Sequence, residues 1–364
     1  MNLNDICQSA LQQGASDIHL KGGRPPLVRV DGRLIPLNGA KALSGTIVGQ
    51  LAFDILSPIQ REQFKKDLEI DLSIALQGMG RFRVNIFKQR QQVGIALRVI
   101  PKTIPSITSM KLPPVLATLA SEERGLILLT GVTGSGKSTT LAAMIDEINS
   151  TTAKHIITIE DPIEFSFEDK LSMFSQREVG VDSHSFANAL RAALRQDPDV
   201  ILVSEIRDKE TMEIALSAAE TGHLVLASLH ALNAPEAITR IVDFFDTQHG
   251  QAIRHLLSGT LKAIISQRLV PMTTSGRVAA LEIMVNRGAV SECIEQASRT
   301  KEIPDFLIQG TAQYGTQTFD QALYWLHKDQ MISKEDALRF SDHPEDLEMR
   351  FAGISADDWK RPSD

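Results

Sequence analysis

GVTGSGKS, at residues 131–138, matches the pattern G-x-x-x-x-G-K-[ST] at every fixed position. The apolar run at 125–130 before it is typical of a short buried strand, and residues 138–149 after it have the composition of a helix. Glycines allow the backbone to curl so that successive N–H groups point inward, and the start of the helix adds partial positive charge. The stretch therefore predicts a strand–loop–helix unit that binds the phosphates of a nucleoside triphosphate.

Two side chains of this loop have predicted roles of their own. Lys137 is expected to reach the β- and γ-phosphates, and the Ser138 hydroxyl is expected to ligate Mg²⁺. The other residues predicted to bind the nucleotide are Gly131, Thr133, Gly134, Ser135, Gly136 and Thr139.

The composition narrows the class of protein. The chain has 364 residues, and its 38 basic and 45 acidic side chains give a net charge of −7. This charge argues against nucleic acid as a partner, because nucleic-acid-binding proteins usually carry a basic surface. Cys7 and Cys293 fit no zinc spacing and indicate a reducing compartment, and no apolar run approaches the ~20 residues of a membrane span. We therefore expect a cytoplasmic protein that meets a membrane only through a partner.

Changes of pattern along the chain predict an α/β protein with four regions. Residues 1–100 are predicted to form a small α+β domain, and the proline-rich residues 101–114 a linker. Residues 115–285 alternate strands with helices, which is typical of a parallel sheet covered by helices, and residues 286–364 are predicted to be helical. The strands predicted in the third region are 126–130, 156–160, 200–203, 224–228 and 278–284.

Two of these strands end in carboxylates. DVILVSE, at 199–205, ends at Glu205, the position from which an acid holds Mg²⁺ beside a phosphate-binding loop. Ser204 stands where an aspartate usually precedes this acid, so a single carboxylate must serve. IITIEDPIE, at 156–164, ends in three acids, one of which could position or deprotonate an attacking water: Glu160, Asp161 and Glu164.

Two histidines flank a third strand. His223 precedes and His230 follows the apolar run at 224–229. A histidine at such a place can sense the γ-phosphate, because hydrolysis would change its hydrogen bonding.

Four segments together resemble the Walker A, Asp box, Walker B and His box of the secretion ATPases: GVTGSGKSTT, ITIEDPIEF, DPDVILVSEIRD and TGHLVLASLHA. Further segments extend the resemblance over nearly the whole length, among them ASDIHL, PPLVRVDGRL, GRFRVNIF, QREVG, ALRAALRQDPD, RIVDFF and YGTQTFDQAL. Within that superfamily the chain is identified as a member of the PilT/PilU group, the type IV pilus retraction (twitching-motility) ATPases.

The resemblance implies a homohexameric ring that binds ATP and Mg²⁺. Each subunit would have a PAS-like N-terminal domain, a RecA-like ATPase domain and a small helical C-terminal region. The implied partner is an inner-membrane pilus platform protein, so the ring would lie at the cytoplasmic side of that membrane.

The resemblance also implies roles for individual residues. Glu205 matches the Walker B acid that helps to hold Mg²⁺, Glu164 the catalytic glutamate and His230 the γ-phosphate contact. Arg83 and Arg98 match the arginine fingers of the family, and Arg81 is a weaker third candidate. These arginines would supply cations to the transferring phosphoryl group.

Residues 289–296 depart from the family pattern. An A-I-R-N-L-I-R-E-like helix is associated with retraction, whereas this chain reads AVSECIEQ and has neither arginine. Residues 318–323 and 342–351 look more like PilU. An accessory paralogue that supports another retraction ATPase is therefore an alternative to an independent retraction motor.

Three further functions remain as alternatives. Pilus-extension and type II secretion ATPases usually have a longer N-terminal region and often a tetracysteine zinc insert, and this sequence shows neither pattern. A nucleic-acid translocase is disfavoured by the acidic charge balance. A partner that joins another motor's ring without hydrolysing ATP is disfavoured by the presence of Lys137, Glu164 and Glu205.

Overall fold

The computed structural model describes residues 2–30, 32–101, 103–354 and 359. The chain forms two units, one of Met1–Thr103 with Pro162–Ser166 and the other of Ile104–Asp161 with Phe167–Asp364. Lys102 of the predicted linker, and residues 355–358 and 360–364 of the predicted helical region, lie outside the described residues.

The first unit combines an antiparallel sheet with helices. Its helices are α1 (Leu3–Gln12), α2 (Gly45–Ile55) and α3 (Pro58–Asp67). Its strands are β1 (Asp17–Lys21), β2 (Leu27–Val30), β3 (Arg33–Pro36), β4 (Glu69–Leu76), β5 (Gly80–Gln89) and β6 (Gln92–Val99). They form one six-stranded sheet in the order β3-β2-β1-β6-β5-β4, and every neighbouring pair is antiparallel.

Strand β5 shows why this sheet has one apolar and one polar face. Phe82, Val84 and Ile86 alternate along the strand and are fully buried in the core of the unit. Arg83 lies between them in sequence and is exposed. Successive side chains of a strand point to opposite faces of the sheet, so Arg83 lies on the face opposite the core, as the sequence pattern predicts.

The second unit is built on a seven-stranded sheet. Its strands are β7 (Gly125–Thr130), β8 (His155–Glu160), β9 (Met173–Glu178), β10 (Val200–Val203), β11 (Leu224–Leu229), β12 (Leu261–Pro271) and β13 (Arg277–Val285). The strand order is β13-β12-β7-β11-β10-β8-β9, in which only the β12–β13 pair is antiparallel. Every residue of β7, β10 and β11 is buried, as in parallel strands that are covered on both faces.

Helices α5 to α9 separate most of these strands in sequence, α4 precedes β7, and α10 to α15 follow β13. The helices of this unit are α4 (Val115–Ala120), α5 (Lys137–Thr151), α6 (Phe186–Ala193), α7 (Lys209–Glu220), α8 (Ala234–Asp243), α9 (Gly250–Thr260), α10 (Ala289–Glu295), α11 (Ile303–Gln309), α12 (Thr311–Tyr314), α13 (Phe319–Lys328), α14 (Lys334–Phe340) and α15 (Pro344–Phe351). Helices α13 to α15 pack on β12 and β13 through a separate apolar cluster that includes Val270, Val278, Phe319 and Leu347.

The sheet differs from the sequence prediction at three strands. Strand β13 is antiparallel, because residues 272–276 between it and β12 are too few for the crossover that parallel strands require. Strands β9 and β12 were absent from the prediction. Strand β12 begins at Leu261, directly after α9 ends at Thr260, so no turn in the sequence marks the change from helix to strand.

Candidate active site

The loop between β7 and α5 is shaped by three glycines. Gly131, Gly134 and Gly136 have φ angles of 141°, 80° and 91°, in the region that side chains rarely adopt. Gly136 caps α5, and Lys137 is the first residue of that 15-residue helix. The start of the helix and the curled loop therefore present N–H groups together, which is the arrangement that binds phosphate.

The side chain of Lys137 folds over this loop. Its Nζ atom donates to the carbonyl oxygens of Gly131 at 2.8 Å and Val132 at 3.1 Å. Two buried hydroxyls nearby in sequence, Thr130 Oγ1 and Ser135 Oγ, have no hydrogen-bond partner among the described residues. Leaving a buried polar group unpaired costs about 1–3 kcal/mol. Such groups suit a loop that receives a polar ligand.

Glu205 follows β10 at the same edge of the sheet. Its Oε1 atom lies 2.7 Å from Nε2 of His230, and its Oε2 atom accepts a hydrogen bond of 2.6 Å from Nη2 of Arg207. Burial acts to raise the pKa of Glu205, but the bond and charge of Arg207, with the charges of His230 and Lys137, hold that pKa below its ordinary value. Glu205 is therefore a carboxylate at neutral pH, close enough to Lys137 to respond to its charge.

Arg207 is a site residue that the sequence analysis missed. Besides its bond to Glu205, its Nη1 atom lies 3.9 Å from Oδ2 of Asp161, at the end of β8. It thus links the carboxylates that follow two neighbouring strands. The available signal was its place two residues after the Walker B acid, in SEIRD.

The two histidines around β11 lie at opposite ends of that strand. His230 follows the strand and contacts Glu205, so it belongs to the site. His223 precedes the strand, and its Nδ1 atom lies 3.0 Å from the carbonyl oxygen of Ala218 at the end of α7. Because β11 runs parallel to β7 and β10, His223 lies at the edge of the sheet away from the phosphate-binding loop. The structure therefore leaves His223 out of the site.

The three acids at and after the end of β8 have different environments. Glu160 is 5% exposed, and its Oε1 atom accepts hydrogen bonds from Thr158 and Gln176. Asp161 is exposed and faces Arg207. Glu164 is exposed between the buried Ile163 and Phe165, in the segment 162–166 that the structure groups with the first unit.

The arginine candidates all lie on the sheet of the first unit. Arg83 of β5 and Arg98 of β6 are directly opposite each other in the strand register. Arg98 also donates from Nε to Oδ1 of Asp17 at 2.9 Å, and its side chain is 70% exposed. The Nη2 atom of Arg81 donates to the hydroxyl of Ser73. Arg83 and Arg98 therefore form one exposed cationic pair, whereas Arg81 is tied to the neighbouring strand.

The donor set fits a magnesium ion that is held jointly with a nucleotide. Within the described part of the chain, no three His, Cys, Asp or Glu side chains are grouped to hold a metal by themselves. Ser138 in the first turn of α5 and the ionised Glu205 supply the hard oxygen ligands that Mg²⁺ prefers. Mg²⁺ is commonly bound by one or two protein oxygens together with substrate phosphates.

Helix α10 carries the sequence that departs from the family pattern. Its acids have local partners: Glu292 lies 2.7 Å from Arg299, and Glu295 lies 3.0 Å from His255. The buried Arg254 donates to the carbonyl oxygen of Ile294 and so holds the end of the helix. The two acids of this altered helix, Glu292 and Glu295, therefore each have a basic partner within the same unit.

A protein family described as Type II/IV secretion system protein matches residues 1–311. The chain belongs to this family. The membership confirms the resemblance on which the sequence analysis relied, and with it the mixed α/β, RecA-like fold.

Two curated relatives of this secretion-family chain come from Pseudomonas aeruginosa. The type IV pilus retraction ATPase PilT is 42% identical over 347 residues, which cover 95% of this chain and 100% of PilT. The type IV pilus ATPase PilU is 41% identical over 351 residues, covering 96% of this chain and 91% of PilU. The chain is thus about equally similar to both proteins.

A solved structure of the pilus retraction motor PilT with bound ADP superimposes with a TM-score of 0.89. It is 45% identical and covers 96% of this chain and 99% of that protein. In the described part of the secretion-family chain, no helix combines the length and apolarity needed to cross a membrane.

Proposed function

We propose that this protein hydrolyses ATP to ADP and phosphate at the carboxyl edge of the sheet in the second unit. The observation that supports the proposal is that an ionised acid, Glu205, lies at the same edge of the sheet as the phosphate-binding loop and its lysine. Against the effect of burial, the bond and charge of Arg207 hold the pKa of Glu205 below its ordinary value, with smaller contributions from His230 and Lys137. Cations, metal-binding oxygens and a fixed phosphate loop are what phosphoryl transfer requires.

The loop residues bind and orient the nucleotide. N–H groups from Gly131 to Thr139 hold the phosphate oxygens, and Lys137 moves its ammonium group from the loop carbonyls to the β- and γ-phosphates. Ser138 and Glu205 would hold Mg²⁺, which would supply positive charge to neutralise the transferring phosphoryl group. Arg207 and His230 keep Glu205 ionised and oriented for that task.

Glu164 is the proposed general base. Its carboxylate takes the proton as a water oxygen bonds to the γ-phosphorus, while the bond from that phosphorus to the β-phosphate oxygen breaks. His230 contacts the γ-phosphate and registers its loss. Glu164 is exposed, so water can reach its surroundings.

Arg83 and Arg98 act as arginine fingers. Like charges directly opposite each other in a sheet are unfavourable, so a polyanion that binds both gains additional stabilisation. Asp17 of β1 is directly opposite Arg29 of β2 on one side and Arg98 of β6 on the other. Its carboxylate offsets part of the positive charge of Arg98 and keeps that side chain on the exposed face. Fingers supplied by another subunit would make hydrolysis depend on assembly into a ring.

We propose that the protein assembles as a homohexamer and drives type IV pilus retraction. The similarity to PilT over nearly the full length of both chains supports this function. The proposed partner is a pilus platform protein of the inner membrane, which would hold the ring at the cytoplasmic face.

A second candidate is an accessory paralogue that supports another retraction ATPase. The observation that favours it is helix α10, where Ser291 and Glu295 occupy the positions of the two arginines in the PilT pattern. The 41% identity to PilU points the same way.

A chromosomal Glu205→Ala strain tests the proposal, with Glu213→Ala, an exposed acid on α7, as the control. Retraction predicts cells with excess surface pili that no longer twitch, while the control strain behaves as the parent. Cells without pili would contradict retraction and favour extension. Unchanged pili and motility in the Glu205→Ala strain would favour the accessory paralogue.

A further inference from the structure

Gln267 lies on β12, next to the strand that leads into the phosphate-binding loop. Strands β12 and β7 pair in parallel, and Ser266, the residue before Gln267, is opposite Thr130 at the end of β7. Gln267 is 2% exposed, so its amide must find partners inside the protein.

Both ends of this amide are bonded to the nucleotide-binding element. Its Nε2 atom donates to the carbonyl oxygen of Ser135 at 2.7 Å, and its Oε1 atom accepts from Oγ1 of Thr140 at 2.8 Å. Thr140 lies on α5 and is fully buried. A carbonyl oxygen can only accept, so the bond to Ser135 fixes which end of the amide faces the loop.

Gln267 also approaches two loop glycines closely. A Cβ atom added to Gly136 would come within 2.7 Å of Nε2 of Gln267, and one added to Gly131 within 2.5 Å of the Gln267 carbonyl oxygen. Glycine at these positions therefore serves a second purpose besides the turn of the backbone. It allows β12 to approach the loop closely.

We infer that Gln267 is a positioning residue, which holds the phosphate-binding loop in the conformation that binds nucleotide. The inference rests on the proposed ATPase function. By bonding Ser135 of the loop and Thr140 of the helix at once, Gln267 sets the angle at which the loop enters α5. The loop contacts phosphates in both the ground and the transition state, so its position should affect nucleotide affinity more than turnover.

The adjacent residue provides a matched control. Arg268 points to the other face of β12, where it donates to the carbonyl oxygen of Phe340 at 2.6 Å and to Oδ1 of Asp342 at 2.7 Å. Its guanidinium group also stacks on Phe319 at 3.7 Å. Arg268 therefore stabilises the packing of the C-terminal helices and does not contact the loop.

The test compares Gln267→Met and Arg268→Met in the full chain. A fluorescent ATP analogue measures Kd, and phosphate release measures KM and kcat. Gln267→Met preserves the length of the side chain and removes both bonds, so we expect Kd and KM to rise about tenfold with little change in kcat. Arg268→Met should leave Kd unchanged. A folded Gln267→Met variant with the Kd of the wild type would overturn the inference.

Gln267→Glu supplies a second arm that is independent of the methionine variant. An ionised carboxylate cannot donate to the Ser135 carbonyl, whereas the protonated acid can, and burial favours the protonated form. We expect its deficit in nucleotide affinity, relative to the wild type, to shrink between about pH 8 and about pH 6. A deficit that does not change with pH, or no deficit at all, would contradict the positioning role.

Lys137→Ala separates this inference from the function on which it rests. If the wild type and Lys137→Ala bind the analogue equally, the assignment of this loop as the nucleotide site is wrong. If Lys137→Ala binds weakly while both Gln267 variants bind like the wild type, only the positioning role is wrong.

Discussion

Nε2 of His230 lies 2.7 Å from Oε1 of Glu205, which joins the residue after β11 to the second residue after β10. The two strands are parallel neighbours, so their carboxyl ends bring these side chains to one edge of the sheet. Arg207 occupies the other oxygen of the same carboxylate. A change in the charge bound near Glu205 should therefore alter the hydrogen bonding of both His230 and Arg207.

Glu164→Ala should abolish ATP hydrolysis while nucleotide binding survives, because the variant removes the proposed base and leaves the phosphate loop intact. The matched control is Glu168→Ala, an exposed acid four residues further along the chain. Phosphate release and equilibrium binding of an ATP analogue provide the two readouts. Hydrolysis at the wild-type rate in Glu164→Ala would remove Glu164 from the mechanism.

Arg83→Ala should reduce kcat at least about a hundredfold, since arginine fingers typically contribute this much or more. The melting temperature should not fall, because the variant removes one of two like charges that oppose each other on β5 and β6. Arg33→Ala, an exposed arginine on β3, serves as the control. A loss of activity that merely follows a loss of stability would count against the finger.

Arg207→Gln should move the acid limb of the kcat/KM profile to higher pH. Arg207 holds the pKa of Glu205 below its ordinary value, so without it the carboxylate takes up a proton earlier as the pH falls. The comparison is with Arg195→Gln, an exposed arginine after α6. An acid limb that stays in place would show that Glu205 does not limit the reaction at low pH.

Glu282→Gln should remove a pH dependence of folding stability. Burial raises the pKa of Glu282 from 4.5 to about 7, and the charge of Asp342 adds to the rise, against the bonds from Ala234 and Ser266 and the charge of Arg268. The folded chain then keeps a proton that the unfolded chain loses. The free energy of unfolding should therefore fall, by on the order of 3 kcal/mol, as the pH rises from 4.5 to about 7, and should level off at higher pH.

Urea unfolding at a series of pH values measures this effect. Glu213→Gln, an exposed acid on α7, is the control and should retain the fall seen in the wild type. If Glu282→Gln shows the same fall, another group is responsible.

Local patterns predicted much of this site. The loop at 131–138 is recognisable because its glycines, lysine and serine are neighbours in sequence, and the structure has the predicted buried strand before it and helix after it. Glu205 and His230 were predictable because each follows an apolar strand of a parallel sheet. The exposed face of β5 was predictable because polar and apolar residues alternate along that strand.

Contacts between distant parts of the chain could not be predicted in this way. Gln267 meets Ser135 and Thr140 across 132 and 127 residues of sequence, and nothing near Gln267 in the sequence reveals that pairing. The bond from Arg207 to Glu205 depends on the conformation of a loop without periodicity. Strand β12 was missed because it follows a helix without a turn, and its neighbour β13 was then assigned the wrong direction.

Phosphate release from ATP by the purified chain, with Mg²⁺ present, is the direct test of whether this protein is an ATPase. Lys137→Ala is the informative variant, and Lys334→Ala, a half-exposed lysine on α14 that pairs with Glu348, is the control. We expect steady release by the wild type and by Lys334→Ala, with loss of both release and nucleotide binding in Lys137→Ala. Nucleotide affinity in Lys137→Ala equal to that of the wild type would contradict it.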